Sequence, residues 1–175
     1  TVIITEKPSS ALKIAEALAE GNPEKKSNLG VSYYKIRRGG KQIIVAPAVG
    51  HLFNLTEKAG SGWHYPVFDV EWTPSYKNKH ASWSKKYFQN LEKLSKQAIE
   101  LISACDYDIE GSTIAYNIIT LIFKASDGKR MKFSTLTKDE LIESYEKASP
   151  HLDFPQIYAG ESRHYMDYFW GISLS

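Results

Sequence analysis

The sequence has 175 residues, of which 42% are hydrophobic and 24% are charged, as is usual for a globular domain with a substantial core. Its one cysteine, Cys105, excludes an internal disulfide and indicates a reducing compartment, for which we expect the cytoplasm. No apolar run approaches the ~20 residues of a membrane span and no signal peptide is visible, so no membrane partner is expected. The net charge of +2 is too small to predict nucleic-acid binding by itself.

The N-terminal part of the chain predicts a strand, a helix and a hairpin. Thr1–Thr5 is short, apolar and β-branched, which is typical of a buried strand. Pro8 suits the first turn of a helix, and apolar residues at helical spacing continue it through Ala11–Glu20. Gly21–Gly30 is polar and rich in turn formers, so we expect an exposed loop there. Gly39 and Gly40 then predict a hairpin turn between two strands, Val31–Arg38 and Lys41–Pro47.

The middle of the chain begins with an aromatic segment, Leu55–Ser82, which lacks a clear period and predicts a long structured loop. Its tryptophans Trp63 and Trp72, and Trp83 after it, could stack on nucleic-acid bases, but packing is the favoured interpretation. Further elements are predicted at Ser82–Lys96 (helix), Ile99–Ala104 (strand), Ser112–Lys124 (helix), Arg130–Leu136 (strand), Lys138–Ala148 (helix, with a capping box between Thr137 and Glu140) and from Gln156 onward (helix).

This alternation of short apolar strands with helices predicts an α/β fold. The sheet should be largely parallel, with helices on both of its faces. In such sheets the functional residues gather at the carboxyl ends of the strands.

The stretch ACDYDIEGSTI carries the strongest chemical signal, because Asp106, Asp108 and Glu110 occupy alternate positions where a strand passes into a helix. In extended backbone these side chains would point to one side, and three crowded anions favour a cation between them. Oxygen ligands suit Mg²⁺. Ser112 and Thr113 are good N-cap types for the helix that follows. The alternative is a solvated acidic turn.

A second junction between a strand and a helix carries Glu6 and Lys7. If the first strand lies beside the strand that precedes Asp106, then Glu6 faces the two aspartates across one cleft. Neighbouring Asp106 and Asp108 would raise the pKa of Glu6, whereas a bound Mg²⁺ would lower it. His51 follows a glycine, and two interpretations stay open: contact with a phosphate, or a structural hydrogen bond.

Several segments together resemble the TOPRIM domain, and more specifically the type IA DNA topoisomerases of archaeal type. They lie in family order and cover nearly the whole chain. They read TEKPSSALKIAEAL, GHLFNL, ACDYDIEGSTIAYNI, RMKFSTLT and ESRHYMDYFWGISLS. The resemblance implies a Rossmann-like TOPRIM fold and a Mg²⁺-dependent isomerase. Such an enzyme cuts one strand of single-stranded or underwound DNA through a tyrosine, passes the other strand and reseals the break.

The resemblance also implies roles for individual residues. Asp106 and Asp108 match metal-binding residues, with Glu110 in support. Glu6 matches a general acid/base near the scissile phosphate and the metal, and Lys7 matches a contact to that phosphate. Arg163 and Asp167 match a polar pair that supports phosphate binding.

In the family the nucleophilic tyrosine lies in a later domain, and none of the 11 tyrosines here matches its position. We therefore expect residues 1–175 to be a single TOPRIM domain of a larger, DNA-associated cytoplasmic enzyme, inactive without its remaining domains. The alternatives are a stand-alone TOPRIM nuclease that uses water, the topoisomerase part of a reverse gyrase, and a catalytically silent binding module. The intact Glu6, Asp106, Asp108 and Glu110 argue against the last of these.

Overall fold

The computed structural model describes residues 1–58 and 68–173. The strands are β1 (Val2–Thr5), β2 (Glu24–Asn28), β3 (Val31–Arg38), β4 (Lys41–Pro47), β5 (Phe53–Glu57), β6 (Val70–Pro74), β7 (Leu101–Ser103) and β8 (Lys129–Arg130). The helices are α1 (Pro8–Leu18), α2 (Lys85–Ser95), α3 (Ile109–Leu121), α4 (Lys138–Glu146) and α5 (Phe154–Ser173). Two 3₁₀ helices, Ser75–Lys77 and Lys79–Ser84, precede α2. Within this described part of the chain, no helix is long and apolar enough to cross a membrane.

The main sheet has the strand order β2-β3-β4-β1-β7-β8. Strands β4, β1, β7 and β8 run parallel, whereas β2, β3 and β4 pair in antiparallel fashion. Ile4 of β1 lies between Ala46 of β4 and Ser103 of β7, so β1 and β7 end side by side. The sheet is therefore largely parallel, and the expected neighbourhood of Glu6 and the acidic stretch is confirmed.

Helices cover both faces of this sheet, as predicted. On one face α1 and α4 pack over Ile3 and Val45, and they contribute Ile14 and Leu141 to that core. The opposite core lies under α2, α3 and α5, which contribute Leu91, Ile118 and Ile157. β1 and β7 carry apolar side chains on both faces of the sheet, so the two layers of helices hold these strands and their carboxyl ends in place.

Two predicted loops contain strands. Gly21–Gly30, expected to be a loop, includes β2, whose sequence EKKSN is polar because it forms an exposed sheet edge. The segment Leu55–Ser82 includes part of the antiparallel β5–β6 pair, one 3₁₀ helix and most of the other. Trp72 of β6 packs against the core, whereas Trp83 is 54% exposed. Trp63 lies outside the described residues.

Two element boundaries and one capping pattern also differ from the predictions. Arg130–Leu136 was expected to be a strand, but only Lys129–Arg130 pairs. In a capping box the Glu140 carboxylate would accept from the backbone N–H of Thr137. It accepts instead from the backbone N–H groups of Ser134 and Thr135. Helix α3 begins at Ile109, three residues before the expected start, so Ser112 and Thr113 lie inside it.

Candidate functional site

Glu6, Lys7 and Asp106 converge at the carboxyl ends of β1 and β7. The Lys7 ammonium lies 2.7 Å from Asp106 Oδ2 and 3.4 Å from Glu6 Oε1, so it bridges the two carboxylates. Lys7 is the N-cap residue of α1 and is half exposed, whereas the Glu6 side chain is only 16% exposed. The arrangement places an acid and a cation beside an accessible aspartate, on the edge of the sheet where ligands bind in open α/β folds.

Asp108 has a structural role that the acidic pattern did not predict. Its Oδ1 accepts a 2.7 Å hydrogen bond from the Gly111 backbone N–H, and this makes Asp108 the N-cap of α3. The backbone approach is so close that a Cβ on Gly111 would lie 2.3 Å from the Asp106 carbonyl oxygen. Only glycine fits this turn, which brings both aspartates to the start of the helix.

The Glu6 carboxyl has a perturbed pKa. Burial, and next the charge of Asp106, raise the pKa of Glu6 above its usual value, while Lys7 opposes them. A carboxyl group with a raised pKa is protonated for a larger fraction of the time near neutral pH, so its acid form is available as well as its base form. The sequence predicted the direction from the aspartates alone, but the largest cause is burial.

Glu110 faces a different set of partners from Asp106. Its Oε2 lies 2.9 Å from His51 Nε2 and 3.1 Å from His164 Nε2, and its Oε1 lies 3.3 Å from Arg163. Arg163 also approaches Asp167, at 3.7 Å. Burial raises the pKa of Glu110, but the two histidines outweigh it and leave the pKa below its usual value. The structure thus brings the predicted residues His51, Arg163 and Asp167 together around Glu110.

His164 was not singled out from the sequence, although it directly follows Arg163. Its ring stacks edge-on against His51, with centroids 4.8 Å apart, and against Trp72, at 5.4 Å. Burial, and next the neighbouring His164, lower the pKa of His51, while Glu110 opposes them. His51 is therefore favoured as a neutral imidazole. The sequence carried no signal for His164 beyond its place next to Arg163.

Arg130 is the second residue that sequence reasoning missed. Arg130 is 1% exposed, and its guanidinium donates to Ser103 Oγ at 2.8 Å, to the Cys105 carbonyl at 2.9 Å and to the Asp106 carbonyl at 2.8 Å. Burial lowers the pKa of Arg130 from its usual high value. This buried cation ties β8 to the turn that carries Asp106, and it places positive charge behind the acidic cluster.

The donor set at the sheet edge fits a hard divalent cation. Glu6, Asp106 and Asp108 offer only oxygen ligands, which Mg²⁺ prefers, and Asp108 keeps its second oxygen after capping the helix. The Asp106 side chain is 41% exposed and already attracts one cation, the Lys7 ammonium. A bound ion would share Asp106 with Lys7.

Comparison with known proteins agrees with this geometry. The family model "Toprim domain" matches residues 1–136. "DNA topoisomerase 1" of Methanocaldococcus jannaschii is 47% identical over 99% of this chain, and that of Pyrococcus furiosus is 46% identical over 99%. The chain spans only 23% and 17% of those relatives.

Among solved structures, full-length topoisomerase I from Thermotoga maritima superposes with a TM-score of 0.61 at 22% identity. The match covers 95% of this chain and 24% of that one, and it shows that the fold is shared. The family resemblance drawn from the sequence segments is confirmed: the chain belongs to the Toprim domain family.

Proposed function

We propose that residues 1–175 form the Mg²⁺-binding Toprim domain of a type IA DNA topoisomerase. The domain would act in the cytoplasm on single-stranded or underwound DNA, together with further domains that carry the tyrosine nucleophile. One observation carries the proposal: Lys7 joins Glu6 and Asp106 at the ends of adjacent parallel strands, in a chain whose relatives are named DNA topoisomerase 1.

Glu6 is the proposed general acid and base. Breaking a phosphodiester expels a 3′-oxygen that needs a proton, and resealing the break requires that proton to be removed again. A largely buried carboxyl group with a raised pKa can serve both steps, and its position beside Lys7 keeps it at the edge of the site.

Lys7 is the proposed contact to the scissile phosphate. Its ammonium is half exposed and carries a compact charge at the end of a flexible side chain, so it can reach a phosphate oxygen without losing Asp106. Arg163 is also more than half exposed and is the proposed second phosphate contact. Asp167 and Glu110 orient the Arg163 guanidinium, and His51 holds Glu110 in turn.

Asp106 and Asp108 are the proposed ligands of Mg²⁺, with Glu6 beside them and Glu110 in a supporting position on the first turn of α3. Bound there, Mg²⁺ would neutralise charge on the phosphate and help to position it. The cap between Asp108 and Gly111 fixes the direction of the Asp108 carboxylate before any ion arrives.

A chimeric enzyme provides the test. Residues 1–175 would replace the matching region of the M. jannaschii relative, and relaxation of supercoiled plasmid would be measured with Mg²⁺. We expect the chimera to relax DNA and Glu6→Gln to slow it by about 10²–10⁴-fold, with DNA binding largely retained. Glu16→Gln, an exposed change on α1, is the matched control and should have no effect. Relaxation by Glu6→Gln at the control rate would refute the assigned role.

The chain alone, tested in the same plasmid assay, addresses the proposed domain organisation. We expect no nicks, because the covalent step needs a positioned tyrosine from elsewhere. Nicks with covalently attached protein would place the nucleophile within residues 1–175. Nicks without attached protein, lost in Asp106→Asn, would indicate a nuclease that uses water.

A further inference from the structure

His51, Glu110 and His164 form a compact group beside the acidic edge. One ligand atom from each lies within 4.8 Å of the other two. His51 precedes β5, Glu110 lies in the first turn of α3, and His164 lies in α5, so the group joins three separate parts of the fold. Each side chain is 28–34% exposed, which leaves one side of the group open to water.

The two distances from Glu110 to the histidines are close to those between neighbouring ligands of a single metal ion, and the two histidine ligand nitrogens lie within 4.8 Å of each other. With metal–ligand bonds of about 2.1 Å, neighbouring ligand atoms are separated by roughly 3.0 Å in octahedral and 3.4 Å in tetrahedral geometry. Glu110 Oε2 lies 2.9 Å from His51 Nε2 and 3.1 Å from His164 Nε2. A metal ion could therefore take the place of the protons in the His51–Glu110 and His164–Glu110 hydrogen bonds after small movements of the two imidazole rings.

The ligand types select against Mg²⁺ at this position. Two imidazole nitrogens and one carboxylate oxygen suit zinc and other first-row transition ions, whereas Mg²⁺ requires oxygen ligands. We propose that His51, Glu110 and His164 form a second cation site that binds a transition-metal dication of the Zn²⁺ class, separate from the oxygen-only edge at Asp106.

The surroundings of the group hold its side chains in place and also limit its affinity for a cation. The backbone of His51 is held by Ser75, whose hydroxyl donates to the His51 carbonyl at 3.2 Å, and the His164 ring is packed against Trp72. Arg163 contacts the other oxygen of Glu110, at 3.3 Å, and so leaves Oε2 for the ion. The positive charge of Arg163 opposes cation binding. So does the buried Nδ1 of His51, which would carry the proton of the metal-bound ring and has no hydrogen-bond partner among residues 1–58 and 68–173. The site should therefore be weaker than a four-ligand structural zinc site.

A bound ion would clamp the segment before β5, the start of α3 and the terminal helix α5 to one another. These are the elements that carry Arg163 and hold the turn at Asp108. The proposal does not depend on the proposed function, because it concerns binding and not the chemistry of DNA cleavage.

Isothermal titration of the 175-residue chain with Zn²⁺, in the presence of excess Mg²⁺, tests the site. We expect one bound equivalent, with affinity reduced at least tenfold in His51→Gln and in His164→Gln. His151→Gln is the matched control, because His151 contacts the Asp127 carboxylate at 2.6 Å and no second histidine of the described part of the chain joins this pair. It should bind Zn²⁺ as the wild type does, and so should Asp106→Asn.

The wild-type chain gives a second measurement that does not depend on the folding of any variant. In the imidazole ¹⁵N spectrum, Zn²⁺ should shift Nε2 of His51 and His164 and leave His80 and His151 unchanged. The proposal is wrong if no Zn²⁺ binds, if His164→Gln binds it as tightly as the wild type, or if Asp106→Asn abolishes binding. The last result would place the ion at the oxygen-only edge.

Discussion

Replacing Gly160 with alanine should separate α5 from α3 and thereby disturb the Glu110 group. An added Cβ at Gly160 would lie 2.1 Å from Thr113 Oγ1 and 2.6 Å from the Ile109 carbonyl oxygen. Ordinary contacts of this kind exceed 3 Å, so the two helices must move apart by roughly 1 Å. Overpacking of this kind costs about 1–3 kcal/mol.

Gly171→Ala is a matched control in the same helix, because an added Cβ there lies more than 4 Å from the described residues, its chain neighbours and the helix's own backbone aside. Both substitutions gain helix propensity, up to about 1 kcal/mol each. The difference between the two variants therefore isolates the steric cost at Gly160. At roughly 3 °C per kcal/mol for a domain of this size, about 1–3 kcal/mol corresponds to a gap in Tm of about 3–9 °C.

Thermal unfolding followed by circular dichroism measures this gap. Imidazole NMR signals report the local consequence: in Gly160→Ala the His164 ring should lose the environment that Glu110 and Trp72 provide, and in Gly171→Ala it should not. Equal Tm values for the two variants would refute the close packing of α5 on the start of α3. An unchanged His164 signal in Gly160→Ala would refute its coupling to the site.

Two further predictions concern charged groups. The pKa of Glu6 is higher in the folded state than in the unfolded state, so ionisation of Glu6 lowers the free energy of unfolding at pH values above the folded-state pKa. This loss disappears as the pH falls to the usual pKa of a glutamate. Glu6→Gln should thus have a higher Tm than the wild type at pH 8, and this difference in Tm should close towards pH ~4.5. A difference that widens on acidification would contradict a raised pKa of Glu6. Arg130→Lys should lose roughly 2–4 kcal/mol in urea unfolding, because an ammonium cannot span the three oxygens that the buried guanidinium contacts. Arg37→Lys, on an exposed position of β3, should change stability by less than about 0.5 kcal/mol, and equal losses in both would contradict the structural role of Arg130.

Hydrophobic periodicity was sufficient to predict the central elements of the fold. Strand β1, helix α1 and the β3–β4 hairpin follow from apolar spacing and from the Gly39-Gly40 turn, and the parallel α/β rule then brings Glu6 beside Asp106. The same reasoning failed where a strand is exposed and its sequence is therefore polar. Strand β2 is polar because it forms a sheet edge, so its sequence lacks the signal that a buried strand carries.

Long-range contacts account for the residues that were missed. The buried Arg130 guanidinium donates to Ser103 and to the carbonyls of Cys105 and Asp106, which lie 24 to 27 residues earlier. His164 meets Glu110 across 54 residues of sequence. Neither a lone arginine on a short strand nor a histidine in an aromatic helix predicts its partner, because the partner depends on the packing of whole elements.

The residue at which α3 begins determines which groups each of the three carboxylates contacts. Alternate spacing in extended backbone would have pointed Asp106, Asp108 and Glu110 to one side, but Asp108 ends the extended segment and Glu110 already lies on the helix. Successive helical residues turn by about 100°, so Glu110 is directed towards α5 instead of towards Lys7. Asp106 and Asp108 stay at the sheet edge with Glu6, where oxygen ligands and a lysine meet. A one-turn delay of the helix start, as the sequence first suggested, would have left Glu110 without its histidines.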